Sequence, residues 1–373
     1  MYLEDGQAYK GKGFGAAATK VGELIFNTAM IGYQELLTDP AVKGQIINMT
    51  YPLIGNYGIS DIDNESEHIQ AFGLVTHDIT FRPSGRHGIM NISEWLRYHS
   101  IPGVYNVDTR AIAKKIRSEG IMKCVISTEG ISKDNARELI ENTALRTDYM
   151  RDAGVRQFTA LPGLAAEGAP GRGLKIAVID FGVKQSVLRE LRGRGCDLML
   201  CPYGVTAEEI LGMNADGLLL PDGPGDPAEC KLGIEVTSQL IGRLPILGIG
   251  LGHLVFALAA GGSVYKLRYG HHGANHGVID LDAGKSFIAS QGHNYAVDAE
   301  SLRDSGLAVT HVNLNDGTVE GMRYMNLPVF SVQFNPEGSP GPNDTKWVFD
   351  RFLQMALDMK SGNRMGGNRD AKA

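Results

Sequence analysis

"LPILGIGLGHLVFALAAGG", residues 244–262, is the stretch on which the fold turns. Its first part reads as a buried strand and its second as an apolar helix ended by paired glycines. Gly248, Gly250 and Gly252 lie at the junction, and three kinds of turn use glycine there. A dinucleotide-binding turn needs G-x-G-x-x-G after the first strand of its domain, with an acidic residue about 20 positions on. Here His253 replaces the third glycine, His272 stands where the acid is needed, and the strand is the fourth of its domain. A phosphate-binding P-loop needs Lys and Ser/Thr after the glycines, where this chain has Leu254 and Val255. The third possibility is a nucleophile elbow, which lifts one residue above the sheet edge at a helix N-terminus and needs small flanking residues. Gly248 and Gly252 flank Gly250 in that way. Taken alone, the stretch fits a plain tight β–α turn at least as well.

Working outward, the same alternation recurs. "LKIAVIDFG" (174–182), "DLMLCPY" (197–203) and "ADGLLLPDGPGDP" (215–227) read as strands. "VLRELRGRG" (187–195), "TAEEILGMN" (206–214) and "IEVTSQLIGR" (234–243) read as the helices between them. Continuous apolar strands alternating with amphipathic helices predict a mostly parallel sheet with helices on both faces, an α/β fold. Ligands of such sheets bind at the carboxyl ends of the strands, so the loops at 221–228 and 248–253 are where chemistry is expected. From "SVYKLRYG" (263–270) to "PVFSVQF" (328–334) the pattern suggests hairpins and one more strand, followed by a last helix, "TKWVFDRFLQMALDM" (345–359).

The first part of the chain mixes strand-like runs, "AATKVGELIFNTAM" (17–30), "GQIINMTYP" (44–52) and "AFGLVTHDI" (71–79), with two helical ones, "SEWLRYHSI" (93–101) and "DTRAIAKKIRSEG" (108–120). Asp108 or Thr109 can cap the second helix. An α+β domain is expected over 1–155 and the α/β domain over 174–360. The Gly-, Ala- and Pro-rich "LPGLAAEGAPGRG" (161–173) anchors a linker at 156–173, and a polar tail is expected at 361–373.

Composition narrows the function. The 373 residues are 43% hydrophobic and 21% charged with a net charge of −6, which argues against nucleic acid or an anionic membrane as the main partner. No apolar run approaches the ~20 residues that span a bilayer. Nor does "MYLEDGQAYKGKGFG" (1–15) have a signal-peptide pattern, so a cytoplasmic location is expected. The four cysteines (Cys124, Cys196, Cys201, Cys230) form no CxxC pair and read as buried free thiols in a reducing compartment.

Several stretches together lift the elbow reading. "GYQELLTDPAVKGQIINMTYPLIGNYG" (32–58), "DFGVKQSVLRELRGRGC" (180–196), "DGPGDPAE" (222–229), "GIGLGHLVFALAAGG" (248–262) and "SVQFNPEGSPGPND" (331–344) resemble the small subunit of carbamoyl phosphate synthetase. The resemblance runs in order from about residue 2 to about residue 358. It implies a family-specific N-terminal domain followed by a class I glutamine amidotransferase domain. In that family the second domain hydrolyses glutamine and passes ammonia to a large subunit that uses ATP and Mg. No cofactor is expected on this chain itself.

The chemistry requires a thiolate nucleophile, an imidazole base and a carboxylate that orients the imidazole. The family's Gly-Ile-Cys-Leu-Gly-His reads here Gly-Ile-Gly-Leu-Gly-His, so Gly250 stands at the nucleophile position. The family's His-Pro-Glu reads Asn335-Pro336-Glu337, which keeps the carboxylate and loses the base; an asparagine cannot take a proton near neutral pH. Among substrate-holding positions, Gly223 and Gly225 of the Gly-Pro-Gly loop are kept, as is Leu251, whose N–H could serve an oxyanion hole. Ala41 replaces a serine and Leu254 a glutamine, while Gly292, Asn294 and Tyr295 depart from Gln-Asn-His-Gly-Phe. The changes converge on one site.

The resulting expectation is a small subunit that cannot hydrolyse glutamine and that supports an ammonia-using large subunit structurally or by regulation, in a heterodimer serving arginine or pyrimidine biosynthesis. Two rivals stand beside it: a free-standing protein that binds a small ligand in the altered pocket, and a working amidotransferase with unorthodox residues. Cys230 lacks an elbow and reads as an ordinary thiol. His253, His271, His272, His276 and His293 read as structural rather than as metal ligands, and His293 has no nucleophile to activate.

Overall fold

A computed structural model describes residues 1–85, 88–164, 168–303 and 305–362. Residues 165–167 of the expected linker and 363–373 of the expected tail lie outside the described residues.

The second half is built on a ten-stranded sheet. Asp197–Cys201, Lys175–Ile179, Gly217–Leu220, Ile246–Ile249 and Val329–Val332 lie side by side in that order, all parallel. Val319–Tyr324, Leu307–Asn313, Val264–Asp280 and Lys285–Val297 continue the sheet antiparallel. Successive side chains along the parallel strands serve two cores, as the two-residue strand period requires. Ala177, Ile179, Leu218, Leu220 and Ile246 join one core, while Ile176, Val178, Leu219, Leu247 and Ile249 join the other. Both faces are covered, which is why the strands read as unbroken apolar runs.

The first half is a seven-stranded mixed sheet with Thr19–Asn27 and Gln45–Met49 near its middle. Helix Ile92–Tyr98 packs Ile92, Trp95 and Leu96 on one side, and helix Thr109–Glu119 packs Ile112 and Ile116 on the other. Of the two expected caps, it is Asp108 whose side chain accepts the Ala111 N–H at 2.9 Å. Within the expected linker, Thr159–Leu161 is a strand that pairs antiparallel with Asp197–Cys201. Pro162 favours the extended backbone of the residue before it, and the sheet edge offers unpaired backbone groups to such a segment.

The two halves meet through buried charge. The carboxylate of Glu65, from the first half, accepts the Ser186 N–H at 2.9 Å and its hydroxyl at 2.7 Å. An acid from one domain thus caps helix Gln185–Gly193 of the other, where the helix dipole favours it. Beside it Lys184, 2% exposed, donates to Glu337 Oε1 at 2.7 Å and to the Ser339 carbonyl at 2.7 Å. Its ammonium also lies 3.4 Å from Asp39 of the first half. Burial opposes the ammonium charge, but Glu337, Asp39 and Glu65 outweigh it and hold Lys184 well above its usual range. Burial pushes Asp39 and Glu337 upward, with Lys184 pulling against it.

Removing the cation leaves acids buried without a partner, which costs about 3–5 kcal/mol. Lys184→Met should therefore lower the thermal midpoint clearly at pH 8. The deficit should narrow in mildly acidic buffer, where Asp39 and Glu337 take up protons. Scanning calorimetry at both pH values checks this, and an equal deficit at both would remove the charge explanation.

Candidate functional site

The strand Ile246–Ile249 ends at Gly250, and helix Leu251–Ala259 begins at the next residue. Gly250 has φ 55° and ψ −113°. That lies outside both the helix and strand regions, and a residue with a Cβ is held there only at a cost of about 1–3 kcal/mol. Its N–H donates to the Val332 carbonyl at 3.0 Å, while its own carbonyl accepts the His253 N–H at 3.0 Å. The junction is therefore an elbow rather than a plain β–α turn. Its tightness also explains Gly252, where a Cβ would lie 1.9 Å from the Leu220 carbonyl oxygen.

The space a side chain at position 250 would need belongs to Asp222. A Cβ on Gly250 would sit 2.3 Å from the Asp222 Cγ and Oδ1. Asp222 Oδ1 accepts the Leu251 N–H at 2.8 Å and the Gly223 N–H at 2.8 Å. Two converging backbone N–H groups, one in the first turn of a helix, are the arrangement that holds an oxyanion in acyl transfer. Here a carboxylate of the chain itself takes both. Burial, then the nearby Asp39 carboxylate, pushes the Asp222 acid up to about 7, against the pull of the two N–H bonds and Lys184.

All eight positions expected to hold substrate line one cavity of about 90 Å³: Ala41, Gly223, Gly225, Leu251, Leu254, Gly292, Asn294 and Tyr295. It is small beside the roughly 300–1,000 Å³ of ordinary small-molecule pockets. Asp222 and Leu251 line it and Gly250 does not. Much of the polar lining is paired internally. Tyr295 donates its hydroxyl to Asp226 at 3.0 Å, Asn294 Oδ1 lies 2.8 Å from His272 Nε2, and Lys266 is 2.6 Å from Glu23.

Asn335 and Glu337 do not line the cavity. The Asn335 N–H donates to the Ser290 carbonyl at 2.9 Å, and its buried Oδ1 has no hydrogen-bond partner among the described residues. Glu337 is paired with Lys184 rather than with an imidazole. His253 is fully buried with Nδ1 2.8 Å from Ser331 Oγ, and burial pushes it down to about 3. All four cysteines are buried. Burial pushes the thiols of Cys196, Cys201 and Cys230 up to about 12 and that of Cys124 higher still. None supplies a thiolate near neutral pH. Asp222 is the site residue that sequence reasoning passed over; its only signal was an acid directly before the Gly-Pro-Gly loop.

Comparison with known proteins gives this geometry its context. Residues 1–126 match the family described as carbamoyl-phosphate synthase small chain, CPSase domain, and residues 177–355 match glutamine amidotransferase class-I. A carbamoyl phosphate synthase small chain from Clostridium acetobutylicum is 46% identical over 355 residues, covering 95% of this chain and 99% of the relative. The chain belongs to the carbamoyl phosphate synthase small chain family. Small chains from Staphylococcus epidermidis and Bacillus caldolyticus are each 44% identical, the first covering 98% of this chain and 97% of its own, the second 95% of both. The elbow of this small chain thus sits in a glutamine amidotransferase domain. Among the described residues no helix is long and apolar enough to cross a membrane.

The raised Asp222 acid carries a pH signature. An acid titrating at about 7 when folded and near 3.9 when unfolded binds more protons in the folded state between those values. Its contribution to stability is therefore full below the unfolded value and is lost as pH rises through about 7. Asp222→Asn keeps an acceptor for both N–H groups and removes the titration. Its thermal midpoint should gain on the parent's as pH rises from 5 to 8; parallel profiles would refute the assignment.

Proposed function

We propose that this small chain does not hydrolyse glutamine and serves a carbamoyl phosphate synthase large subunit as a structural or regulatory partner, with ammonia as the nitrogen source. The observation that carries this reading is the Asp222 carboxylate, which fills the space of a side chain at Gly250 and takes the N–H groups of Leu251 and Gly223. Amide hydrolysis at such an elbow needs a nucleophile, a base and a free pair of donors for the developing oxyanion. Gly250 offers no nucleophile, Asn335 no base, and the donors already hold a carboxylate. Loss of a catalytic unit of this kind lowers turnover by about 10⁶.

Family membership supports the partner. Identity of 41–46% with small chains over nearly the whole chain supports a scaffold of their kind. The small cavity and its paired polar groups weigh against an independent small-ligand receptor.

The test is to mix the purified chain with a cognate large subunit and measure carbamoyl phosphate formation from ammonium and from glutamine. Association with ammonium-only turnover is expected. Glutamine-driven turnover at ordinary rates would overturn the reading, and failure to associate would favour the free-standing protein. Gly250→Cys alone should leave glutamine turnover at background: the new Cβ meets Asp222 and no imidazole stands at Asn335. Asp222→Ala with Gly250→Cys and Asn335→His should exceed that single variant, as read by glutamate release.

A further inference from the structure

His271 and His293 are cross-strand partners of the long hairpin Val264–Asp280 and Lys285–Val297, and Glu320 lies on the strand Val319–Tyr324. All three are buried. His271 Nδ1 lies 3.6 Å and His293 Nε2 3.8 Å from Glu320 Oε1, and the three atoms fall within 4.8 Å of one another. We propose that His271, His293 and Glu320 bind one divalent transition-metal ion of the zinc class. The proposal departs from the sequence reading of these histidines as structural, and it stands apart from whether glutamine is hydrolysed.

Two buried acceptors of the cluster make no hydrogen bond among the described residues. His293 Nδ1 lies 2.8 Å from the Tyr295 carbonyl, which only accepts, so Nδ1 carries the proton and Nε2 presents a lone pair. That lone pair points at a carboxylate and has no hydrogen-bond partner among the described residues; nor has Glu320 Oε2. His271 Nε2 lies 2.9 Å from Asp316 Oδ2, which likewise assigns the proton to Nε2 and leaves Nδ1 facing Glu320. Two amides face the cluster: Asn313 Nδ2, at 3.3 Å from Gln291 Oε1, 3.4 Å from Glu320 Oε1 and 3.5 Å from His271 Nδ1, and Gln291, whose side chain also favours the Glu320 carboxylate although its Nε2 makes no hydrogen bond. With these amides in place the His293 Nε2 lone pair and Glu320 Oε2 still have no hydrogen-bond partner among the described residues. Leaving buried acceptors of this kind unpaired costs about 1–3 kcal/mol each, more when charged.

A cation resolves the surplus. Two imidazole nitrogens and a carboxylate form a known zinc donor set, and tetrahedral ligation at about 2.0–2.1 Å separates ligand atoms by roughly 3.4 Å, near the 3.6 and 3.8 Å from the histidine nitrogens to Glu320 Oε1. The outer contacts also fit. Metal-binding histidines donate their second N–H to a carboxylate or a backbone carbonyl, and Asp316 and Tyr295 are in those places. His271 also lines a cavity of about 560 Å³ with His272, His276 and Asp316, while His293 lines the smaller cavity beside Asn294. A proton on His271 Nδ1 is the rival: it would serve Glu320 and leave the His293 lone pair unpaired.

The test uses the untagged full-length chain, stripped with chelator and titrated with Zn²⁺ and separately with Co²⁺. The expected result is about one ion per chain, a raised thermal midpoint with Zn²⁺, and the visible absorption of tetrahedral Co²⁺. Glu320→Gln and His271→Ala should abolish the Co²⁺ signal, Asp316→Asn should weaken Zn²⁺ binding about 10–100-fold, and His77→Ala in the other domain should change neither. Substoichiometric metal with no Co²⁺ spectrum in the parent overturns the proposal and favours the proton. So does a Glu320→Gln chain that binds like the parent. Should a variant fail to fold by circular dichroism, the parent's Co²⁺ spectrum decides alone.

Discussion

One ammonium group, that of Lys184, organises the centre of the molecule. It reaches Asp39 in one domain and Glu337 and the Ser339 carbonyl in the other, and its field extends to Asp222. The segment carrying Ala41 follows directly on Asp39, so the same ion fixes one wall of the cavity and the loop beyond Asn335. Such a group has no inexpensive substitute, because each acid around it was taken out of water on condition that the cation is present. Glu65 adds a second tie across the same interface by capping helix Gln185–Gly193.

Much of this was legible in the order of residues. Apolar runs at 175–179, 217–220 and 246–249 serve cores on both faces of the sheet, so their lack of alternation announced a parallel sheet. Gly248, Gly250 and Gly252 announced a turn where backbones nearly touch, and the eight positions inferred for substrate do share one cavity. The position of the Asp222 side chain was not legible. Its place is set by a glycine in a different loop and by two N–H groups that exist as a pair only once the elbow has formed. The pairing of Glu337 with Lys184 across 153 residues was hidden for the same reason. Thr159–Leu161 was obscured by a composition rich in loop formers nearby, whereas its strand character comes from the edge it meets.

The elbow keeps a costly backbone shape at a position that carries no side chain. Its retention has a mechanical explanation in its hydrogen bonds. Gly250 N–H is tied to the Val332 carbonyl and Gly252 N–H to the Pro221 carbonyl, so the turn joins three neighbouring strands at their ends. Flattening it would loosen the middle of the parallel sheet. Glycine reduces the strain at the position while the ties remain, so the turn has an architectural duty of its own.

The strand at Thr159–Leu161 bears on how the domains are spaced. A free tether would let its length drift, since added residues in a loose connection cost little. This connection is instead clamped in register against Leu198–Leu200, so the path leaving the first domain has a fixed landing point on the second. Insertions before the clamp and insertions after it are then mechanically distinct: the former change the slack next to the interface held by Lys184, and the latter only enlarge a peripheral loop. The connection works as a spacer with an anchored end.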